Sequence, residues 1–250
     1  MPYQSIQFGS LVVLLQNRLQ NVNFWSGIEY RTNLNECFKI LQLGCLLWKA
    51  RFISYTVAGQ VFYDLTSLPG TLDANSNPLI LMPLRVAFNQ SPLDFTSLGD
   101  IDNGLPSWQV KTTDSPGAPK TPQMWGTNGL NVMFLWPADA AGNGSLQIDA
   151  AVRAPWFATD GSDDAKTVNI ESGMVGPMLD YCEHIAQIKR GTQRVQATMP
   201  KLKSFMGLIS KQNSMFAASS IFKSDYAIQQ DRRARSAADF SGQPLPARYR

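Results

Sequence analysis

The amino-acid sequence predicts an α+β chain: a helical bundle of two N-terminal and two C-terminal helices, an inserted antiparallel β-sandwich or barrel domain, and an extended C-terminal arm. Three observations lead there. Apolar residues recur at helical spacing through residue 51, and again from residue 170. Between these blocks stand short runs rich in aromatic and β-branched residues, separated by turn-forming residues. Residues 231–250 lose the apolar period and gain arginine. The expected division is 1–51 for the N-terminal helices, 52–157 for the β-domain, 170–224 for the C-terminal helices and 225–250 for the arm.

In residues 4–20, Ile6, Leu11, Leu14, Leu15 and Leu19 form a stripe that fits one amphipathic helix. A second helix is expected from Asn33. Asn33 would be its N-cap and Glu36 its N3 residue, a capping box in its Asn form, with Leu34, Phe38, Leu41, Leu46 and Trp48 repeating up to Arg51. From Phe52 the period becomes two. Runs 52–57 and 60–65 are expected to form a hairpin about the Ala58-Gly59 step. Further strands are expected at 79–88, 107–113, 121–126, 130–136 and 145–153. Asn128-Gly129 suits a type I′ hairpin, because both central residues of that turn need positive φ, and residues 137–144 form a second turn. Frequent turns between short strands argue for antiparallel pairing, not for parallel strands joined by crossovers. After a loop at 154–169, Ser172 would cap a helix over 173–189 whose apolar face carries Val175, Met178, Leu179, Cys182, Ile185 and Ile188. A last helix would start at Met199-Pro200, where proline fits the first turn, and run toward Phe222.

Composition narrows the function classes. The chain has 250 residues, 44% of them hydrophobic, enough to bury a full core. Only 16% are charged, against roughly 25% in ordinary soluble domains, so its surface suits an obligate partner. No apolar run approaches the roughly 20 residues of a membrane span, and residues 1–9 lack the basic and apolar regions of a signal peptide, which leads us to expect assembly and use in a cytoplasm. Cys37, Cys45 and Cys182 each lie in an apolar helical pattern and read as buried free thiols.

Candidates for chemistry are few. The one histidine, His184, stands two residues from Cys182, a spacing that places the two on different faces of a helix and does not suit a nucleophile and its base. No CxxC or HxxxH pair offers a zinc site, and no glycine-rich phosphate loop is present. Asp160, Asp163 and Asp164 could gather around a calcium ion, but they lack the alternating spacing of an EF-hand and read better as a solvated turn. Asp100 and Asp102 form a weaker cluster. Of six tryptophans, Trp108 and Trp125 are the two candidates for a glycan-stacking platform. No catalytic residue, cofactor or metal is expected.

The arm carries the clearest functional signal. Residues 231–250 hold five arginines against two aspartates, a net of +3 that equals the excess of the whole chain, so residues 1–230 are formally neutral. Arg232, Arg233, Arg235, Phe240, Arg248, Tyr249 and Arg250, with Pro244 and Pro246, are the mixture found at interface anchors. A segment this poor in large apolar residues orders by binding, and it reads as a protein-docking arm. As a nucleic-acid contact it would be weak, because few phosphates would be neutralised.

Four stretches carry a resemblance to a known family. They are Tyr55-Thr-Val-Ala-Gly-Gln-Val-Phe-Tyr-Asp-Leu65; Pro122-Gln-Met-Trp-Gly-Thr-Asn-Gly-Leu-Asn-Val-Met-Phe-Leu-Trp-Pro137; Gly144-Ser-Leu-Gln-Ile-Asp-Ala-Ala-Val-Arg-Ala-Pro155; and Met178-Leu-Asp-Tyr-Cys-Glu-His-Ile-Ala-Gln187. With the order of elements, they make the chain resemble the head-to-tail adaptor (connector) proteins of short-tailed bacteriophages. The resemblance implies a ring, a dodecamer beneath the portal protein, in the neck and tail of a virion assembled in the host cytoplasm. It implies helices packed side by side, a β-domain turned outward or toward the tail-tube, nozzle or fibre proteins, and an arm, 229–250, reaching the portal. Genomic DNA would pass through the lumen without specific binding, in keeping with a neutral body. The strand-rich region, about 100 residues, exceeds that of a minimal adaptor. Rival readings are a tail-tube or neck component that does not touch the portal, a glycan-binding sandwich using Trp108 or Trp125, and a metal-dependent hydrolase using the Asp160 loop.

Overall fold

The computed structural model describes residues 3–20, 24–73, 78–104, 108, 121–129 and 131–218. In chain order the elements are β1 (Tyr3–Gln7), α1 (Phe8–Leu19), α2 (Gly27–Cys45), β2 (Lys49–Tyr55), β3 (Phe62–Asp64), β4 (Ile80–Phe88), β5 (Ser91–Pro92), β6 (Asp94–Phe95), α3 (Leu98–Gly104), β7 (Met124–Asn128), β8 (Val132–Trp136), β9 (Ser145–Val152), β10 (Thr167–Glu171), α4 (Ser172–Ile188) and α5 (Thr192–Ala218). The fold is α+β. Its described residues divide into two compact units: 3–48 with 153–215, and those within 49–152.

The first unit is mainly helical. Phe8, Leu11, Leu15, Leu34, Phe38, Leu41, Met178, Cys182 and Phe205 are buried in one core. At its centre the Phe8 ring stacks on Phe157, with centroids 4.4 Å apart. Four expectations change here. Residues 4–7 are not helical, because β1 pairs antiparallel with β10 from Tyr3↔Glu171 to Gln7↔Thr167. That partner lies at least 160 residues away, and it also turns the end of the expected 154–169 loop into strand. The second helix starts earlier than Asn33: Ser26 is the N-cap, its Oγ accepting from Glu29 N and the Glu29 carboxylate accepting from Ser26 N. Glu36 instead pairs with Lys39 at 2.8 Å, and α2 ends at Cys45 with Leu46 in the left-handed region, six residues short of Arg51.

The C-terminal helices also shift. The N-cap of α4 is Glu171, without a side-chain capping bond, and Ser172 is already helical. Ile188, expected on the apolar face, is exposed, while His184 and Gln187 are buried. The helix expected from Met199 begins at Thr192, which places Pro200 inside α5. It docks on its own unit through Phe205, stacked on Tyr181 at 4.5 Å, and through Ile209, which lies against Gly44.

The second unit is a sandwich of two four-stranded sheets, ordered β2-β9-β4-β5 and β3-β8-β7-β6, and neither closes into a barrel. Their inner faces share a core: Phe52, Ile80, Val86, Leu146 and Ile148 from the first sheet meet Tyr63, Trp125, Met133 and Leu135 from the second. Strand β8 is buried on both faces, since Phe134 packs on the other side against Ile101 and Trp108. This explains its unbroken apolar run. The expected hairpin of 52–57 with 60–65 does not form. The turn at Ala58-Gly59 exists, but β2 pairs with β9 and β3 with β8, so the chain changes sheets there.

The Asn128-Gly129 signal marks the β7/β8 hairpin. However, Asn128 is still strand, paired with Val132, and only Gly129 of the two has positive φ, so the type I′ turn is not made. Residues 137–144 join β8 to β9 across the two sheets, not as a hairpin, with Gly142 and Asn143 at positive φ. The strand expected at 107–113 lies outside the described residues except for Trp108.

Candidate functional site

The acidic loop before β10 is built into the helical unit. Asp164 takes a two-pronged contact from Arg31 of α2, Nε to Oδ1 at 2.9 Å and Nη2 to Oδ2 at 2.5 Å, and the guanidinium holds its carboxyl below the usual range. Asp163 accepts from Ala158 N at 2.9 Å and pairs with Lys166 at 2.7 Å, the lysine chiefly lowering its pKa. Asp160 accepts from the backbone and hydroxyl of Ser162, which lower its pKa in turn. Asp160 and Asp163 hold the loop by local bonds, and Asp164 ties it to α2. No group of three or more His, Cys, Asp or Glu among the described residues is arranged to hold a metal ion.

His184 is buried, with Nδ1 2.9 Å from the hydroxyl of Thr198 on α5. Cys182 faces the other way, its sulfur 3.5 Å from the carbonyl oxygen of Asn33, as the i, i+2 spacing requires. Cys37, Cys45 and Cys182 are free and buried. Burial pushes the Cys45 thiol up to about 11 and raises Cys37 as well, so neither is a thiolate poised for attack.

Trp108 and Trp125 are 2% and 3% exposed, which leaves no ring face for a sugar and removes the physical basis of the glycan reading. The Trp108 indole N–H donates to Asp102 at 2.6 Å, so that carboxylate of the weaker cluster serves a local contact. The residues assigned to docking, Arg232, Arg233, Arg235, Phe240, Arg248, Tyr249 and Arg250, lie outside the described residues.

The most open feature of the sandwich is strand β2. It is the end strand of its sheet, with β9 on one side and no strand on the other among the described residues. Thr56 N donates to Gly144 O at 3.0 Å, and Asn89 N to Ser145 O at 2.8 Å on the far side of β9. These bonds fix the ladder: Phe52 and Ser54 direct their backbone polar groups to β9, while Arg51, Ile53 and Tyr55 direct theirs away. The side chains of the outward set lie on the solvent face, where Ile53 is 55% exposed, Tyr55 63%, and Val57, just beyond the strand, 57%. At one end Arg51 binds Asp149 through Nε at 2.6 Å and Nη2 at 3.0 Å, and Arg85 joins the same carboxylate at 3.2 Å.

The sequence shows the alternation of residues 51–57 but hides this edge, because the nearest β-run invites a hairpin that would have covered it. The signal present was apolar residues at 53, 55 and 57 on the face opposite Phe52, more than a solvated face needs. No helix among the described residues is long and apolar enough to cross a membrane. No family model matches the chain, and no curated protein matches it.

Proposed function

We propose that this chain is a structural subunit of a short-tailed phage particle, forming a ring that joins the portal to the tail. It acts by binding, not by chemistry. The carrying observation is its layout: a helical unit interrupted in sequence by a sandwich whose longest sandwich edge is open, followed by a net basic terminus. A charge-poor surface and an open edge suit lateral neighbours, since ring closure makes many modest contacts cooperative. The arginines and aromatic residues of 232–250 supply the attachment to the portal. A formally neutral body leaves translocating DNA without a strong hold.

The test is native mass measurement and negative-stain imaging of the purified protein, alone and with its portal, for the full chain and for a chain ending at residue 224. The full chain is expected to give closed rings that bind the portal, and the shortened chain to lose portal binding while keeping its folded spectrum. A full chain that stays a lone particle and ignores the portal would overturn the reading. DNA retained by the ring at physiological salt would overturn its lumen.

A further inference from the structure

Three of the four edges of the sandwich are blunted: β5 is two residues long and contains Pro92, β6 has two residues and β3 has three. Strand β2 has seven, without proline or glycine, and its outward N–H and C=O groups at Arg51, Ile53 and Tyr55 have no ladder partner among the described residues. Such an edge accepts an extended segment, which exchanges backbone hydrogen bonds and covers the exposed side chains. The surroundings bias its charge. Arg51 and Arg85 share the carboxylate of Asp149, two cations on one anion, which favours an acidic strand.

The chain contains a segment of that description. Asp225-Tyr-Ala-Ile-Gln-Gln-Asp231 has seven residues, no proline, glycine or cation, alternating Tyr226 and Ile228, and a carboxylate at each end. Laid antiparallel on β2 with Ala227 opposite Ile53, it sets Asp231 opposite Lys49 and Asp225 opposite Tyr55. Tyr226 and Ile228 then fall on the core face, beside Ser54 and Phe52. Symmetry decides between occupants. Pairing β2 with β2 of a second copy is two-fold and stops at a dimer, whereas a donor segment and a separate acceptor edge make a head-to-tail contact that propagates around a ring.

We infer that residues 225–231 of one copy add as a further strand to β2 of the neighbouring copy, linking ring subunits while residues 232–250 continue to the portal. This rests on the ring reading. The test uses full-length chains carrying Ile53→Cys or Ala227→Cys, mixed and mildly oxidised, since the native cysteines are buried. The mixture is expected to give a covalent dimer between the two kinds of chain, and the double variant a ladder of covalent oligomers on a non-reducing gel. Ala227→Pro, which leaves the sandwich untouched, is expected to reduce the ring fraction at least tenfold. A bridge formed only within one chain, a dimer only between two Ile53→Cys chains, or an unaltered ring fraction in Ala227→Pro overturns the inference. Rings that form and bind portal without a 53–227 bridge sink the strand contact alone. A ladder from chains that never bind portal supports the contact and removes the portal reading.

Discussion

Arg31, in the second turn of α2, grips both carboxylate oxygens of Asp164, 133 residues later in the chain, and so fastens the loop before β10 to the helices. The Arg31 side chain is mostly buried, which makes this pair less screened than the surface pairs elsewhere.

The pair gives a pH prediction with a definite sign. The folded pKa of Asp164 is depressed, chiefly by its hydrogen bonds from Arg31. Its contribution to stability is therefore full above the pH at which an unfolded aspartate ionises, about 3.9, and is lost as pH falls through the lower folded value. Thermal midpoints of wild type and Asp164→Asn, measured from about pH 7 down to 2, should differ near neutrality and converge in acid. A constant gap across that range would show that the charge is irrelevant.

Asn35 is a buried side chain that completes both backbone groups of Phe157, Nδ2 donating to its O at 2.7 Å and Oδ1 accepting from its N at 3.1 Å. Truncation strands two buried polar groups, at about 1–3 kcal/mol each. Asn35→Ala is expected to lose about 2–4 kcal/mol in urea unfolding. Asn35→Leu should do no better, because shape without the amide cannot satisfy the backbone.

Gly126 in β7 sits beneath the Phe134 ring and against the Thr96 carbonyl oxygen, leaving no room for a Cβ. Gly126→Ala is expected to destabilise the sandwich by about 1–3 kcal/mol, as overpacking does. Phe134→Leu, which removes the ring that crowds this site, should recover part of the loss in the double variant. Simple additivity would mean that the two sites are not coupled through this contact.

Cysteine reactivity offers an independent check on the helical core. All three thiols are buried, and desolvation raises Cys37 and Cys45, so alkylation by iodoacetamide at about pH 8 should be negligible in the folded protein and complete in denaturant. Rapid labelling of Cys37 or Cys182 under native conditions would contradict the packing of α2 on α4.

Local chemistry made several features readable in advance. Leu34, Phe38 and Leu41 announce α2, the apolar run of 132–136 announces β8, and the buried free cysteines follow from their place in apolar patterns. What misled was equally local: Asn33 and Glu36 have capping spacing, yet Ser26 and Glu29 stand at the real helix start and make the reciprocal bonds. The candidate site shared this fate. Trp108 and Trp125 looked available as stacking platforms until packing against Phe134 and Phe95 buried them.

The sequence by itself determined the fold class, the order helix, strand, helix and the charge of the terminus, because these depend on periodicity and composition along a continuous stretch. Only the tertiary structure decided which strands are neighbours. Residues 4–7 became a strand through a partner beyond residue 166, and β2 turned from Gln60–Leu65 to β9, leaving Arg51, Ile53 and Tyr55 at an open edge. Sheet pairing is a contest among distant segments for the same backbone hydrogen bonds and the same apolar cover, and no local window contains the competitors.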